Sequence, residues 1–495
     1  MRTIDRTSPV PIYHQLRRLI EGRIEKGVWR PGDRIPTERE LCETYGISRS
    51  PVRQALGELA QDGLVVRKPG LGTFITNHVS HKSSTKIPVR MMCSDPNWSL
   101  VLDHVSGVWN ARHPDSTITF DIEVVPHPDF YDLLRAAVGS GTAPDLAMVD
   151  SVWVAGLADA GFLHALENLG PPGDPSGFGE DRYPASIEAN SLDNHLYGVP
   201  VKADVSLLWY RQDWFAQEGM TPPADWNDLL EAAEHFLQPT VQRHYGLKHP
   251  LAFPGGTAGG EATVYSLMPF VWSAGGSVFD AETTCVTLNS PDTWTVLEYL
   301  RELVQRRVSS LDIIGYANDT SSKLFAEGKV AMALGGSYEA ELMQAISSWS
   351  EEEFVRKVGA TAPPAAPGSE PVPTMGGTSY VVLRQCEQPS LMTALLNVAT
   401  DPAVIGDLYR SMWLNLPSPS FNVRLSQEAE SLATQMSKLI ASGRARPSIS
   451  EYVKVSRQLQ AMFEAAVSGS EPVDDIAQRA GQFIGVIAEL PCRSA

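Results

Sequence analysis

The chain has 495 residues, 43% of them hydrophobic and 20% charged, which is more length than one core usually organises and ample apolar material for several. Its formal net charge is −18, which excludes a protein that coats nucleic acid with its whole surface. It holds no run of about 18 uncharged apolar residues, and its five cysteines (Cys42, Cys93, Cys285, Cys386 and Cys492) lie far apart without a C-x-x-C pair. Neither a membrane span nor a metal site is therefore expected. The opening MRTIDRTSPVPIYHQ lacks the apolar centre of a signal peptide, so the expected location is the cytoplasm.

In chain order, PIYHQLRRLIEGRIEKG places Ile12, Leu16, Leu19, Ile20 and Ile24 on one helical stripe, with Arg17, Arg18 and Arg23 away from it. Thr37 and Glu40 form a T-x-x-E capping box that opens a short helix, which stops at Gly46. In the next helix Ser48 is a suitable cap and Pro51 is tolerated in the first turn, while Val52, Leu56 and Leu59 supply the apolar face. Arg49 and Arg53, four residues apart near its N-terminus, stand where a recognition helix meets base edges and phosphates. Leu64–Lys68 then turns through Pro69-Gly70-Leu71-Gly72 into Thr73–Ile75, a hairpin whose small basic tip suits a minor groove. Charge follows the same division: residues 1–80 hold 13 of the 40 Lys and Arg and 9 of the 58 Asp and Glu, leaving 27 and 49 for the remainder. Only the head is expected to touch DNA, with binding that weakens as salt rises.

The P-I-Y-x-Q-L opening, Pro31-Gly32, Pro36-Thr37-Glu38, Ser48-Arg49-x-Pro51-Val52-Arg53 and Gly72-Thr73-Phe74 come in an order that resembles the winged-helix domain of GntR-type bacterial transcription regulators. That resemblance implies DNA contacts at Arg39, Ser48, Arg49, Ser50 and Arg53 and at the wing backbone around Gly70, and a homodimer on a pseudo-palindromic double-stranded operator. The head is expected over residues 1–77, followed by a polar, Ser-rich linker over 78–88. His78 and His81 have no further ligands nearby and read as solvated linker residues.

The body, 89–495, opens with strands and helices in alternation, from Val89–Cys93 through TITFDIEVV and APDLAMVD, which predicts crossover units and a largely parallel sheet. Ala143-Pro144-Asp145-Leu146, Tyr197-Gly198-Val199-Pro200, LLWYRQDWF from Leu207, AGGSVFD, LFAEGKVAMALGGSYEAEL from Leu324 and MGGTSYVVL then resemble, in order, solute-binding proteins of the sugar-transport type. One departure is Tyr338, where that family often carries Trp. The implied fold class is a multidomain chain, a winged helix-turn-helix followed by a two-lobed α/β periplasmic-binding-protein-like (type II) fold. Lobe one would be about 89–198 plus a return after 376, and lobe two about 199–375, with C-terminal helices such as EYVKVSRQLQAMFEAA packed on both.

A sugar cleft needs aromatic faces and hydrogen-bonding carboxylates, amides or guanidinia. Strand-end placement nominates Trp98, Asp150, Trp153, Lys202, Asp204, Trp272, Tyr338, Glu339, Gly377, Thr378 and Trp413, and alternation along the strand favours Tyr210 over Trp209. Each aromatic alone fits core packing equally well. No G-x-S-x-G, H-E-x-x-H or Walker loop is present, so neither catalysis nor a cofactor is expected. The expected protein is a transcription factor whose operator affinity follows a small-molecule effector, a mono- or oligosaccharide, through cleft closure. An alternative is a GntR-like head on an aminotransferase-like body, with a pyridoxal phosphate Schiff base on one of Lys202, Lys248, Lys323 or Lys329.

Overall fold

The computed structural model describes residues 4, 12–25, 28–61, 64–68, 72–76, 86–169, 178, 181–411, 417–419, 432–469 and 471–493. Its contacts divide the chain into two compact units, Met1–Ile87 with His113–Thr117, and Pro88–Arg112 with Ile118–Ala495. The linker expected over 78–88 lies outside the described residues as far as residue 85.

In the first unit α1 (Ile12–Glu25), α2 (Glu38–Tyr45) and α3 (Arg49–Gln61) precede a hairpin of β1 (Val65–Lys68) and β2 (Gly72–Ile75). The apolar stripes close on one another: Leu16 and Ile20 of α1 and Val52, Ala55, Leu56 and Leu59 of α3 are buried with Ile35, Leu41, Ile47, Val65 and Ile75. The capping box forms, Glu40 N–H donating to Thr37 Oγ1 at 3.3 Å and Thr37 N–H to Glu40 Oε2 at 2.7 Å. Gly46 ends α2 at φ 64°, the left-handed conformation that costs glycine least. The hairpin is antiparallel, Val65 opposite Ile75 and Lys68 opposite Gly72. Lys68 Nζ lies 5.1 Å from the centre of the Phe74 ring.

The second unit is built on two sheets. The elements that position the site are β3 (Ile87–Cys93), α4 (Trp98–Arg112), β4 (Ile118–Val124), α5 (His127–Gly139), β5 (Leu146–Asp150), β6 (Gly198–Pro200), β7 (Asp204–Arg211), β8 (Leu251–Ala252), α6 (Glu261–Ser273), α7 (Pro291–Gln305), β9 (Met332–Gly336), β10 (Val358–Thr361), β11 (Thr374–Gly376), β12 (Thr378–Val382), β13 (Arg444–Ala445), α8 (Tyr452–Ser468) and α9 (Val473–Ala488). One sheet has the order β4-β3-β5-β12-β6; the other has the order β8-β9-β7-β11-β13, with β10 also on β7. The lobe-one core gathers Phe130, Leu134, Val149, Val154, Leu157 and Val381, and the larger lobe-two core includes Leu207, Trp209, Phe270, Leu300 and Phe463. The C-terminal helix α8 packs on α9, α7 and α6 of lobe two and also reaches the turn Ser151–Trp153 of lobe one.

The sheets are mixed, a correction to the largely parallel sheet expected from strand and helix alternation. β12 runs antiparallel to β5 and β6, and β7 runs antiparallel to β9, β10 and β11. The reason is how those strands enter. β6 passes to β7 through Val201–Ala203, and β11 to β12 through Gly377 alone, so each strand arrives across the hinge and not through a helical crossover. The two crossings touch. Val201 and Lys202 N–H donate to the Thr378 carbonyl at 2.9 and 3.2 Å. Gly377 has φ 143°, and a Cβ there would run into the Lys202 carbonyl, so only glycine fits.

Candidate functional site

On the first unit Arg39, Ser48, Arg49, Ser50 and Arg53 are all exposed. Arg39 Nε is 2.8 Å from Glu43 Oε1, and Glu38 sits between Arg53 (2.9 Å) and Arg67 (3.8 Å). Exposed pairs of this kind contribute about 0–1 kcal/mol, so phosphates can displace the carboxylates cheaply. Gly70, with the wing tip, lies outside the described residues.

On the second unit the interlobe cleft is assembled around Arg446, just past β13. Its side chain is 3% exposed, Nη1 lying 2.6 Å from Glu261 Oε1 of lobe two and Nη2 3.6 Å from Asp150 Oδ1 of lobe one. Burial works against the guanidinium charge, but Glu261 and Asp150 outweigh it and push its pKa above the usual arginine value. Asp150 shows the same balance from the acidic side: burial opposes ionisation, while Arg446 and His127 outweigh it and hold the carboxyl below its ordinary range. Glu261 opens α6 and also accepts from Tyr452 Oη at 2.7 Å and Ser456 Oγ at 2.5 Å, two positions one turn apart on α8. Tyr265, one turn along α6, places its ring 5.1 Å below the Arg446 guanidinium carbon and 5.9 Å from the ring of Tyr338.

Tyr338 is 41% exposed, yet burial by surrounding protein raises its phenol pKa well above normal. Both hold for a ring standing inside a cleft, reached by solvent and walled by protein. The Gly335-Gly336 end of β9 makes this possible, because a Cβ on Gly336 would occupy the Tyr338 ring and one on Gly335 the Glu339 carboxylate. At the first crossing, Lys202 Nζ is 3.9 Å from Asp95 Oδ2. Burial raises the pKa of Asp204 despite Lys202 and Arg446. Thr378 lies opposite Asp150 in register. A direct link between lobes runs from Asn97 Nδ2 to Glu341 Oε1 at 3.1 Å.

The structure thus brings together Asp150, Lys202, Asp204, Tyr338, Gly377 and Thr378, with Trp153 beside Asp150 in an aromatic set with His127 (4.9 Å), Tyr131 (5.6 Å) and Phe130 (5.8 Å). Four other nominated residues either turn away from the cluster into protein or stand elsewhere. Trp98 is fully buried, its indole N–H donating to Tyr380 Oη at 2.8 Å, and presents no surface to a ligand. Tyr210 is six residues along β7 from Asp204, about 20 Å at strand rise, and packs edge-on to Phe215 at 5.2 Å. Trp272, buried under Arg444, ends α6 about 16 Å from Glu261 at helix rise. Glu339 is buried as a structural acceptor for Gly336 N–H at 3.0 Å. Trp413 lies outside the described residues. Sequence reasoning missed Asp95, Glu261, Tyr265 and Arg446. The last sits in the polar run SGRARPS, where nothing local distinguishes a buried arginine from a solvated one.

Burial pushes the Glu339 carboxyl up to about 8 from an ordinary 4.5. Because the folded pKa is the higher one, its contribution to stability is full below pH 4.5 and is lost as pH rises through about 8. Glu339→Gln is therefore expected to flatten the decline of melting temperature between pH 5 and pH 8; an unchanged slope would show that the carboxyl ionises normally.

A depression of about 160 Å³ lined by His164, Asn168, His195, Tyr197 and Arg384 is separate from this cluster. We place the site in the cleft instead, because among the described residues both lobes and both crossings converge there.

The fold is a winged-helix domain joined to a two-lobed domain of the solute-binding type. The chain belongs to the bacterial extracellular solute-binding protein family, which residues 98–405 match over more than half its length, and residues 12–75 match the bacterial regulatory proteins of the gntR family. The histidine utilization repressor of Klebsiella aerogenes is 47% identical over 70 residues, 14% of this chain and 29% of that protein. A putative binding protein of Brucella abortus (strain 2308) is 24% identical over 290 residues, 57% of this chain and 64% of that protein. The chain spans less than two thirds of the length of either relative. Among solved structures, a solute-binding protein of Thermotoga lettingae bound with α-D-tagatose superposes with TM-score 0.70 at 21% identity, covering 81% of this chain and 100% of that one. The maltose-bound MalE3 of T. maritima superposes at 0.68 and 20%, covering 81% and 100%. The chain thus carries a gntR-type winged-helix domain ahead of a solute-binding-type domain, and the aminotransferase-like body is corrected: the fold found there is that of a solute-binding protein. Both families are non-enzymatic. Among the described residues no helix is long and apolar enough to cross a membrane.

Proposed function

We propose that this regulator binds a saccharide between the lobes of its second unit and that the bound saccharide changes the affinity of the head for its operator. The observation that carries the reading is the convergence of Arg446, Asp150, Asp204 and the accessible ring of Tyr338 from both lobes, the mixture of stacking face and charged hydrogen-bonding groups that a polyol requires. Neighbours with bound tagatose and maltose support the same ligand class. The acidic body and basic head fit a protein that meets DNA through the head alone, as a homodimer on a pseudo-palindrome in the cytoplasm. A saccharide moves operator affinity only by binding the two states of the chain unequally.

The test is the melting temperature of the full chain against a panel of mono- and oligosaccharides, a ligand at a hundredfold its Kd contributing about 2.7 kcal/mol. The hit is then titrated into a DNA-binding assay. A saccharide that stabilises the protein and shifts operator affinity is the expected result; a panel without any shift on a folded chain overturns the reading. Tyr338→Ala is expected to weaken the hit about 10-fold by removing the stacking face, with far-UV circular dichroism unchanged.

A further inference from the structure

The cleft carries more carboxylates than cations. Asp95, Asp150, Asp204 and Glu261 face Lys202 and Arg446, and the pairing is uneven. Lys202 meets Asp95 at 3.9 Å, and Arg446 meets Glu261 at 2.6 Å and Asp150 at 3.6 Å. Asp204 is left without an ion pair or side-chain hydrogen bond among the described residues, although it sits at the hinge opposite Gly376 in the sheet register. Two phenols of lobe two lie beside it: the Tyr265 ring is against Gly376, the residue opposite Asp204 in the sheet, and the Tyr338 ring is 5.9 Å from that of Tyr265. Tyr265 is 4% exposed and its Oη has no hydrogen-bond partner among the described residues, while Tyr338 offers an accessible ring. A spare carboxylate, an unsatisfied phenol and an aromatic face on one wall together bind an ammonium group: the carboxylate supplies charge, the phenol oxygen accepts a hydrogen bond, and the ring attracts a cation.

We propose that the effector is an amino sugar, a saccharide whose protonated amine is received by Asp204 between Tyr265 and Tyr338. This rests on the saccharide reading above and narrows it. Burial already raises the pKa of Asp204, so an arriving ammonium restores a charge that burial disfavours. Neutral sugars leave that carboxylate with only the charges of Lys202 and Arg446, neither of them ion-paired to it, which sets the direction of the preference.

The experiment is calorimetric titration of the full chain at pH 7 with glucosamine, galactosamine and their disaccharide forms, each beside its N-acetylated and its hydroxyl counterpart. The amine is expected to bind about 10-fold tighter than either neutral counterpart. Asp204→Asn should lower amine affinity at least about 10-fold more than neutral-sugar affinity. Equal or tighter binding of the neutral counterparts overturns the amine proposal and leaves the saccharide reading standing. A preference that survives Asp204→Asn overturns the assignment to that residue, and no binding by any saccharide to a folded chain overturns both. Should Asp204→Asn fail to fold, the preference of the unmodified chain decides the proposal.

Discussion

Arg446→Met is expected to destabilise the second unit by about 3–5 kcal/mol, the cost of removing one partner from a buried charge cluster. The methionine fills much the same volume, so the loss reports electrostatics and not a cavity. What remains is Glu261 and Asp150 facing each other across the hinge, with Tyr452 and Ser456 still donating to Glu261. Urea unfolding followed by circular dichroism at pH 7 measures the difference. The pH dependence adds a sign check: the folded pKa of Asp150 is held below its ordinary 3.8, so the stability it contributes is present above that value and disappears as pH falls through the depressed one. The gap between unmodified and variant protein should therefore narrow below about pH 4. A variant within 1 kcal/mol of the unmodified protein at pH 7 would mean that Arg446 does not hold the lobes' carboxylates together.

Arg49→Ala is expected to weaken operator binding by about 1–3 kcal/mol, roughly 5- to 150-fold, and to relax specificity at one base position. The operator is first selected from a random-sequence library with the unmodified protein, and affinities are measured at several salt concentrations. Lys68→Ala, in the wing, should instead weaken all sequences alike and reduce the salt slope by about 1, the signature of a phosphate contact. Saccharide-induced stabilisation should be untouched in both. If Arg49→Ala lost affinity uniformly across sequences, its role would be phosphate positioning and not base reading.

The head was legible because its signals are local. A capping box, a glycine stop, a proline in a first turn and a two-residue alternation each act within a few residues, and the structure forms the capping box and hairpin where those residues stand. The exposure of Arg49 and Arg53 follows from the same helical period that buries Val52 and Leu56. The strand and helix alternation of the body was also readable.

The cleft was legible only in part, and the failures share one cause. Tyr210 and Trp272 lie on the right elements but at the wrong ends, because sequence gives an element's faces without giving which end of it meets the other lobe. β7 enters its sheet from the hinge, so its first residue, Asp204, lies at the cleft and its seventh, Tyr210, about 20 Å away. Trp98 and Glu339 lie near the cleft in the chain yet point into protein, where burial and a backbone donor claim them. The amino-acid sequence by itself determined the two kinds of module and the short helices and hairpin of the head, since each rests on periodicity or short-range backbone geometry. Only the tertiary structure decided the mixed strand directions and the arrival of Arg446, 296 positions from Asp150 and 185 from Glu261, between those two carboxylates. Charges so distant in the chain are joined by the packing of two lobes, and no local pattern records that packing.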